Sequence, residues 1–397
     1  MKQVITLFFF FANCTLFAQN YVHQVLVLNE GYYDYATQEI ESHVSIGSFD
    51  PSNLVYTEIA VIDNARFASD LIIDGSFFYV AADNRILKYN LDTYELIGEV
   101  NIQGVRNIAI HENHLFVSRG DYDPATFGPL LFNSYFQVYD KSDLSFVYEL
   151  DTINGPKWAT QNIIVHEGLV YVAINNGFEW GNEKGFVGVI NANSFNYITE
   201  IDLGAHGKNP DNMMLDGDNL YTLNNKDWTG ASISHINIDS GEILTNNMSS
   251  VSTGCGTSCL RAGKVLYQIS QDTKLYQWDP EFAPEDGTEI GSFDNFYELA
   301  EDQVNQKLYA STTDWATFGT VQIYDESNNL EYSFSSGVSP GTIVFDVREL
   351  VSLDELEIHS LFKSFGVYDI FGRECKPDDN RMPGIYIVNG KKLFLSK

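Results

Sequence analysis

Five residues of this chain stand at one recurring position, each just ahead of an apolar run: Asp70, Asn107, Asn162, Asn212 and Glu298. Carboxylate and carboxamide oxygens are hard donors, and a ring of them drawn from separate segments suits Ca²⁺. The same ring could equally hold ordered water and satisfy strand ends. A second set places an aromatic ring beside a carboxylate or carboxamide in long polar segments: Tyr33, Tyr122, Trp180, Trp228 and Trp315. Flat apolar faces with fixed polar neighbours suit a planar or sugar-like ligand, unless the rings only pack their own loops. Arg106 adds a cation where a repeat begins, as do Arg66 and Lys157, and His206 adds a titratable side chain in a Gly-rich loop. The sequence holds no Gly-x-Ser-x-Gly elbow, no His-Glu-x-x-His helix and no phosphate-cradling glycine loop. The expectation is therefore ligand binding, not an enzyme. The runner-up is a metal-dependent hydrolase using the polar ring, and a third reading is a protein-interaction platform.

These residues are spaced by a repeat. Leu71 to Val100 reads as an apolar strand, a turn at Asp74-Gly75, a second strand through Phe78-Tyr79-Val80, a third at Ile86–Tyr89 and a fourth. The first hairpin returns at Ile108, Ile163 and Met213, and more loosely at Leu260 and Leu299. Short polar turns between apolar runs are hairpin signals, and a recurrence every ~40–50 residues suits four-stranded propeller blades. Tyr21 to Val61 lacks a first strand, which Thr342 to Val347 can supply, closing the ring and removing two sheet edges. The fold class expected is all-β: a seven-bladed propeller over residues 20–349, with a small β-appendage over 350–397. The loops joining strands two and three emerge on one face of such a ring, so the five aromatics share a rim.

A net charge of −31, from 23 Lys and Arg against 54 Asp and Glu, argues against nucleic acid and anionic membrane surfaces. Lys2, the Phe-rich run Val4–Ala12 and the small residue Ala18 follow the plan of a secretory leader, expected over residues 1–19. No other stretch reaches ~18 apolar residues, so no membrane span is expected in the mature chain. In an oxidising compartment Cys255 and Cys259 are expected to form a disulfide.

The start Val25-Leu26-Val27-Leu28-Asn29-Glu30-Gly31 and its polar-aromatic loop resemble the YncE-like exported bacterial propellers. That group includes the BtuG-like cobalamin-binding surface proteins partnered with TonB-dependent transporters. The resemblance implies capture of a small molecule, corrinoid or otherwise, on the loop-rich face, with a surface transporter as partner. The chain departs from the BtuG-like lipoproteins in lacking a convincing lipid-attachment cysteine. The tail, with Val367–Glu374 and Gly384–Lys392 read as two strand pairs, resembles the sorting domain of type IX secretion cargo. It implies export to the cell surface or beyond. Six-bladed lactonases are similar in setting channel-mouth Glu, Asn and Asp around a metal, which is what the hydrolase reading draws on.

Overall fold

A computed structural model of the protein describes residues 19–248, 252–253, 257–270, 272–281, 287–350, 367–375, 384–388 and 391–395. Residues 1–18 of the expected leader, and Cys255 with its bridge to Cys259, fall outside them. Every regular element among the described residues is a strand, and seven four-stranded sheets follow one another along the chain.

The second blade shows how the sequence makes the unit. Strands Ala68–Asp74, Phe77–Ala82, Arg85–Asn90 and Leu96–Asn101 pair in order, 1-2-3-4. The second strand, Phe-Phe-Tyr-Val-Ala-Ala, is apolar throughout and almost wholly buried, because both of its faces meet a neighbouring blade. The fourth strand alternates exposed and half-buried residues, as an outer strand with one face on the core should. The same plan recurs from Val105–His111, Thr160–His166, Pro210–Asp216, Ser258–Arg261 and Leu299–Asp302, the first strands of blades three to seven.

Cores lie between consecutive blades. Leu26, Leu28 and Ile46 of blade one pack with Leu71, Phe78 and Val80 of blade two. Phe116 and Phe136 of blade three pack likewise with Val170 and Val172 of blade four. The last gap is closed by aromatics: Phe49 of blade one stacks on Phe334 of blade seven, centroids 4.3 Å apart, with Tyr309 edge-on at 6.5 Å. Fully burying one such ring contributes about 1.5–3 kcal/mol.

Blade one is completed from far along the chain. Its sheet order is Pro340–Leu350, Gln19–Asn29, Val44–Asp50, Val55–Ile62, which puts Thr342–Val347 in the sheet of Val25–Leu28 as the closure argument requires. The loop after its second strand carries a small extra hairpin, Tyr32–Asp34 with Glu39–Ser42. The compact unit holding the propeller runs from Gln24 to Asp346. A second unit comprises the two chain ends, and within it Val367–Asp369, Gly384–Val388 and Lys391–Leu395 form one three-stranded sheet. Both expected pairings are present, Tyr368 bridging Glu374 and Gly384–Val388 pairing with Lys391–Leu395, and Val367–Asp369 joins them in one sheet.

Candidate functional site

The propeller has a cavity of about 490 Å³ at the end of the channel where the first strands begin. Its floor consists of residue pairs, one from each of several blades: Ser69-Asp70, Arg106-Asn107, Gln161-Asn162 and Asp211-Asn212. Consecutive strand residues normally point to opposite faces. Here a register shift interrupts the pairing of strands one and two at each of these points, between Ala68 and Asp70, Val105 and Ile108, Thr160 and Ile163, and Pro210 and Asn212. A bulge re-aims the extra residue, so both members of each pair reach the mouth. Tyr297-Glu298 and Gly341-Thr342 complete the circle from blades seven and one.

Glu30 enters this circle from the Asn-Glu-Gly segment. Asn29 is fully buried and donates to Ser45 and to the Tyr56 hydroxyl, pinning the end of its strand. Gly31 adopts φ +77°, the left-handed region glycine tolerates, and turns the chain away under backbone bonds to Val338 and Ser339. The carboxylate of Glu30 then lies against Gly341, where a Cβ would come within 1.8 Å of its Oε1. Only glycine leaves room there.

Four carboxyls therefore share one mouth, and each is half-buried by the cavity yet enclosed by protein on its other sides. Burial pushes Glu30 up to about 7, against the hydroxyl of Tyr297 donating at 2.9 Å and the charge of Arg106. Asp70 is pushed up to about 6 by burial, despite amides of Ile108 and Leu71 at 2.8 and 2.9 Å. Asp211 is likewise pushed up to about 6, opposed by Arg106 and by Asn225 Nδ2 at 3.0 Å. Glu298 lies well above the usual carboxylate range, through burial and then the charges of Glu30, Asp70 and Asp211. The one cation among them is Arg106, which donates to Gln161 at 3.1 Å and sits over the rings of Phe178 and Phe67 at 5.2 and 5.7 Å.

The walls are aromatic. Tyr122 and Trp228 line the cavity directly, with Tyr35, Phe67 and Phe178. Tyr35 and Tyr122 share a hydroxyl–hydroxyl hydrogen bond, and Tyr122 stacks on Phe178 at 5.9 Å. The other rim residues connect through one ring each: Tyr33 to Tyr35 at 5.0 Å, Trp180 to Trp228 at 6.4 Å and Trp315 to Tyr297 at 6.3 Å. Trp180 is 77% exposed and Trp315 56%.

The polar ring also latches blades together. Asp70 of blade two accepts the Ile108 amide of blade three, and Asn212 of blade five donates to Ser258 of blade six. His206 is exposed, lies outside the cavity lining, and contributes its carbonyl to Ser232. Arg66 ties blade two to the loop of blade three through Asp83 and Asp121, at 2.6 and 2.9 Å. Lys157 is exposed. Cys259 is buried, and its thiol is raised far above the usual range.

As a metal site the ring is open. Among the described residues the one trio of His, Cys, Asp or Glu whose ligating atoms all lie within 4.8 Å is His166, Glu167 and Asp218, at the opposite strand ends. The mouth carboxylates do not converge so closely, although Asp70, Glu298 and the carboxamides of Asn107, Asn162 and Asn212 present oxygens suited to a hard cation.

No protein-family model matches the chain, and no curated protein does. Solved structures do. A hypothetical selenium-binding protein from Sulfolobus tokodaii matches with a TM-score of 0.59 at 10% identity, over 83% of this chain and 93% of that one. The Kuenenia stuttgartiensis hydrazine synthase matches with a TM-score of 0.52 at 14% identity, over 74% and 100%. BamB from Moraxella catarrhalis follows at 0.45 and 11%, over 76% and 83%. The likeness to the first two concerns the fold alone; the seven blades are counted in this chain's own sheets.

Proposed function

We propose that this chain is an exported, non-catalytic propeller that captures a small molecule in the channel-mouth cavity, for hand-over to a surface transporter. The observation that carries the reading is convergence: paired polar side chains from bulged first strands and aromatic rings from long loops meet at one concavity. A volume of about 490 Å³ falls in the range of small-molecule sites, and a concave mouth suits a small ligand better than a flat protein partner. A corrinoid would have to spread over the outer rings of Trp180 and Trp315. The leader, the sorting-like tail and the Asn-Glu-Gly start support export and surface display.

A thermal-shift screen of the full chain against small molecules, corrinoids included, followed by calorimetry, tests it. For a confirmed ligand, Trp228→Ala should weaken binding by about 1–3 kcal/mol. No hit across cationic, neutral and anionic compounds, or a hit indifferent to both Trp228→Ala and Tyr122→Ala, refutes the reading. The raised carboxyls favour one other reading, hydrolysis assisted by a Ca²⁺ ion at the ring, and Ca²⁺-dependent turnover of a lactone would identify it.

A further inference from the structure

We propose that the channel-mouth cavity takes an organic cation, an alkylammonium group held between aromatic faces and carboxylates; this deepens the ligand-capture reading and rests on it. The charge count comes first. Glu30, Asp70, Asp211 and Glu298 line the cavity with Arg106 as the one basic side chain among its lining residues. That guanidinium is already engaged by Gln161 and flanked by two phenyl rings. A fully ionised mouth would therefore carry about three uncompensated negative charges.

A second observation is independent of charge. Asn107, only 8% exposed and part of the lining, keeps Oδ1 without a hydrogen-bond partner. Buried carboxamide oxygens are nearly always paired, so this one marks a place beside the cavity where the protein itself supplies no donor. The carboxyl of Glu298 likewise accepts no hydrogen bond among the described residues, while its backbone is fixed by Ser311. Both are acceptors, as a ligand bearing N–H groups or positive charge requires; the indole Nε1 of Trp228, also unpaired in the lining, adds one donor.

The size of the cation follows from spacing. A bare Ca²⁺ takes its oxygens at about 2.3–2.6 Å, so its ligands crowd one another. No three of these carboxylates approach within 4.8 Å. The gap suits a cation with its own bulk, and Tyr35, Tyr122, Trp228 and Tyr297 line the same space with aromatic surface of the kind that attracts cations. Burial raises the affinity of these carboxyls for protons, and at Glu298 the charges of Glu30, Asp70 and Asp211 add to it.

The test is calorimetry on the full chain at pH 8 with benzyltrimethylammonium and choline, against 3,3-dimethylbutan-1-ol as the uncharged isostere of choline. The ammonium compounds should bind at least tenfold more tightly than the isostere. The double variant Asp211→Asn/Glu298→Gln should lose at least tenfold of the ammonium affinity and none of the affinity for the isostere. If the double variant does not fold, Glu298→Gln alone, which gives up no hydrogen bond, should show a severalfold loss. Equal binding of isostere and ammonium overturns the inference but leaves ligand capture standing, as does a screening hit that is neutral or anionic while both ammonium probes fail. Ca²⁺ binding that excludes the ammonium probes overturns it in favour of a metal. Failure of every compound of any charge removes both readings together.

Discussion

Replacing Glu30 by Gln should stabilise the propeller at pH 8 and leave it nearly unchanged at pH 5. Glutamine keeps the shape that fits beside Gly341 and can still accept from the Tyr297 hydroxyl. What it removes is a charge the fold resists: enclosure raises this carboxyl from 4.5 to about 7. A carboxyl that binds its proton more tightly when folded supports the folded state below about pH 4.5, and that support is lost as pH climbs through about 7. At about 1.4 kcal/mol per tenfold, the ionised form costs about 3 kcal/mol in an enclosed site. Water in the open cavity screens part of it, leaving about 1–2 kcal/mol. Over the roughly 320 residues from Gln24 to Asp346, an unfolding entropy near 0.7 kcal/mol/K converts this to a rise of about 1.5–3 °C at pH 8. Differential scanning calorimetry of both proteins at pH 5 and pH 8 reads the difference. A variant equally shifted at the two pH values, or destabilised at pH 8, refutes the claim that Glu30 is a strained acid.

Arg66→Ala should cost about 3–5 kcal/mol in denaturant unfolding, because it strands the buried carboxylates of Asp83 and Asp121 without their cation. Phe49→Ala should cost a similar ~3–5 kcal/mol by opening a cavity in the aromatic contact that joins blades seven and one. Gly341→Ala should destabilise by about 1–3 kcal/mol, and much less in a Glu30→Ala background, where the clashing Oε1 is gone. An undiminished cost in the double variant would show that the glycine is needed for some other reason.

The blades were legible because two-residue turns and apolar second strands repeat in plain view, and closure was legible because blade one begins with a strand missing. The site was legible by halves. Asp70, Asn107, Asn162, Asn212 and Glu298 announce themselves by standing before apolar runs, but alternation would send Ser69, Gln161 and Asp211 to the other face. Their place in the cavity depends on bulges, whose register shifts have no period in the sequence. Glu30 is visible as part of Asn-Glu-Gly, yet nothing local says that it meets Gly341, more than 300 residues on. Separation also hid the partner of His166, which lies 3.2 Å from Asp218, 52 residues on. In the tail the two pairings were legible, but not that Val367–Asp369 lies beside Gly384–Val388 and joins them in one sheet.

Blade one is stitched from both ends of the propeller segment, and that has a consequence for the order of assembly. Glu30 takes its place only when its amide reaches the carbonyl of Ser339, and Gly341 is the wall it rests against. A ribosome or a secretion channel delivers Glu30 early and Gly341 last, so six blades can form while the mouth is still incomplete. Joining ends some 310 residues apart carries a loop-closure cost of about 5 kcal/mol, met only when the final strand docks. Ligand binding would then act as a latch on the seam. A chain truncated before residue 340 could still build most of its sheets, but it would carry neither a closed ring nor a complete pocket.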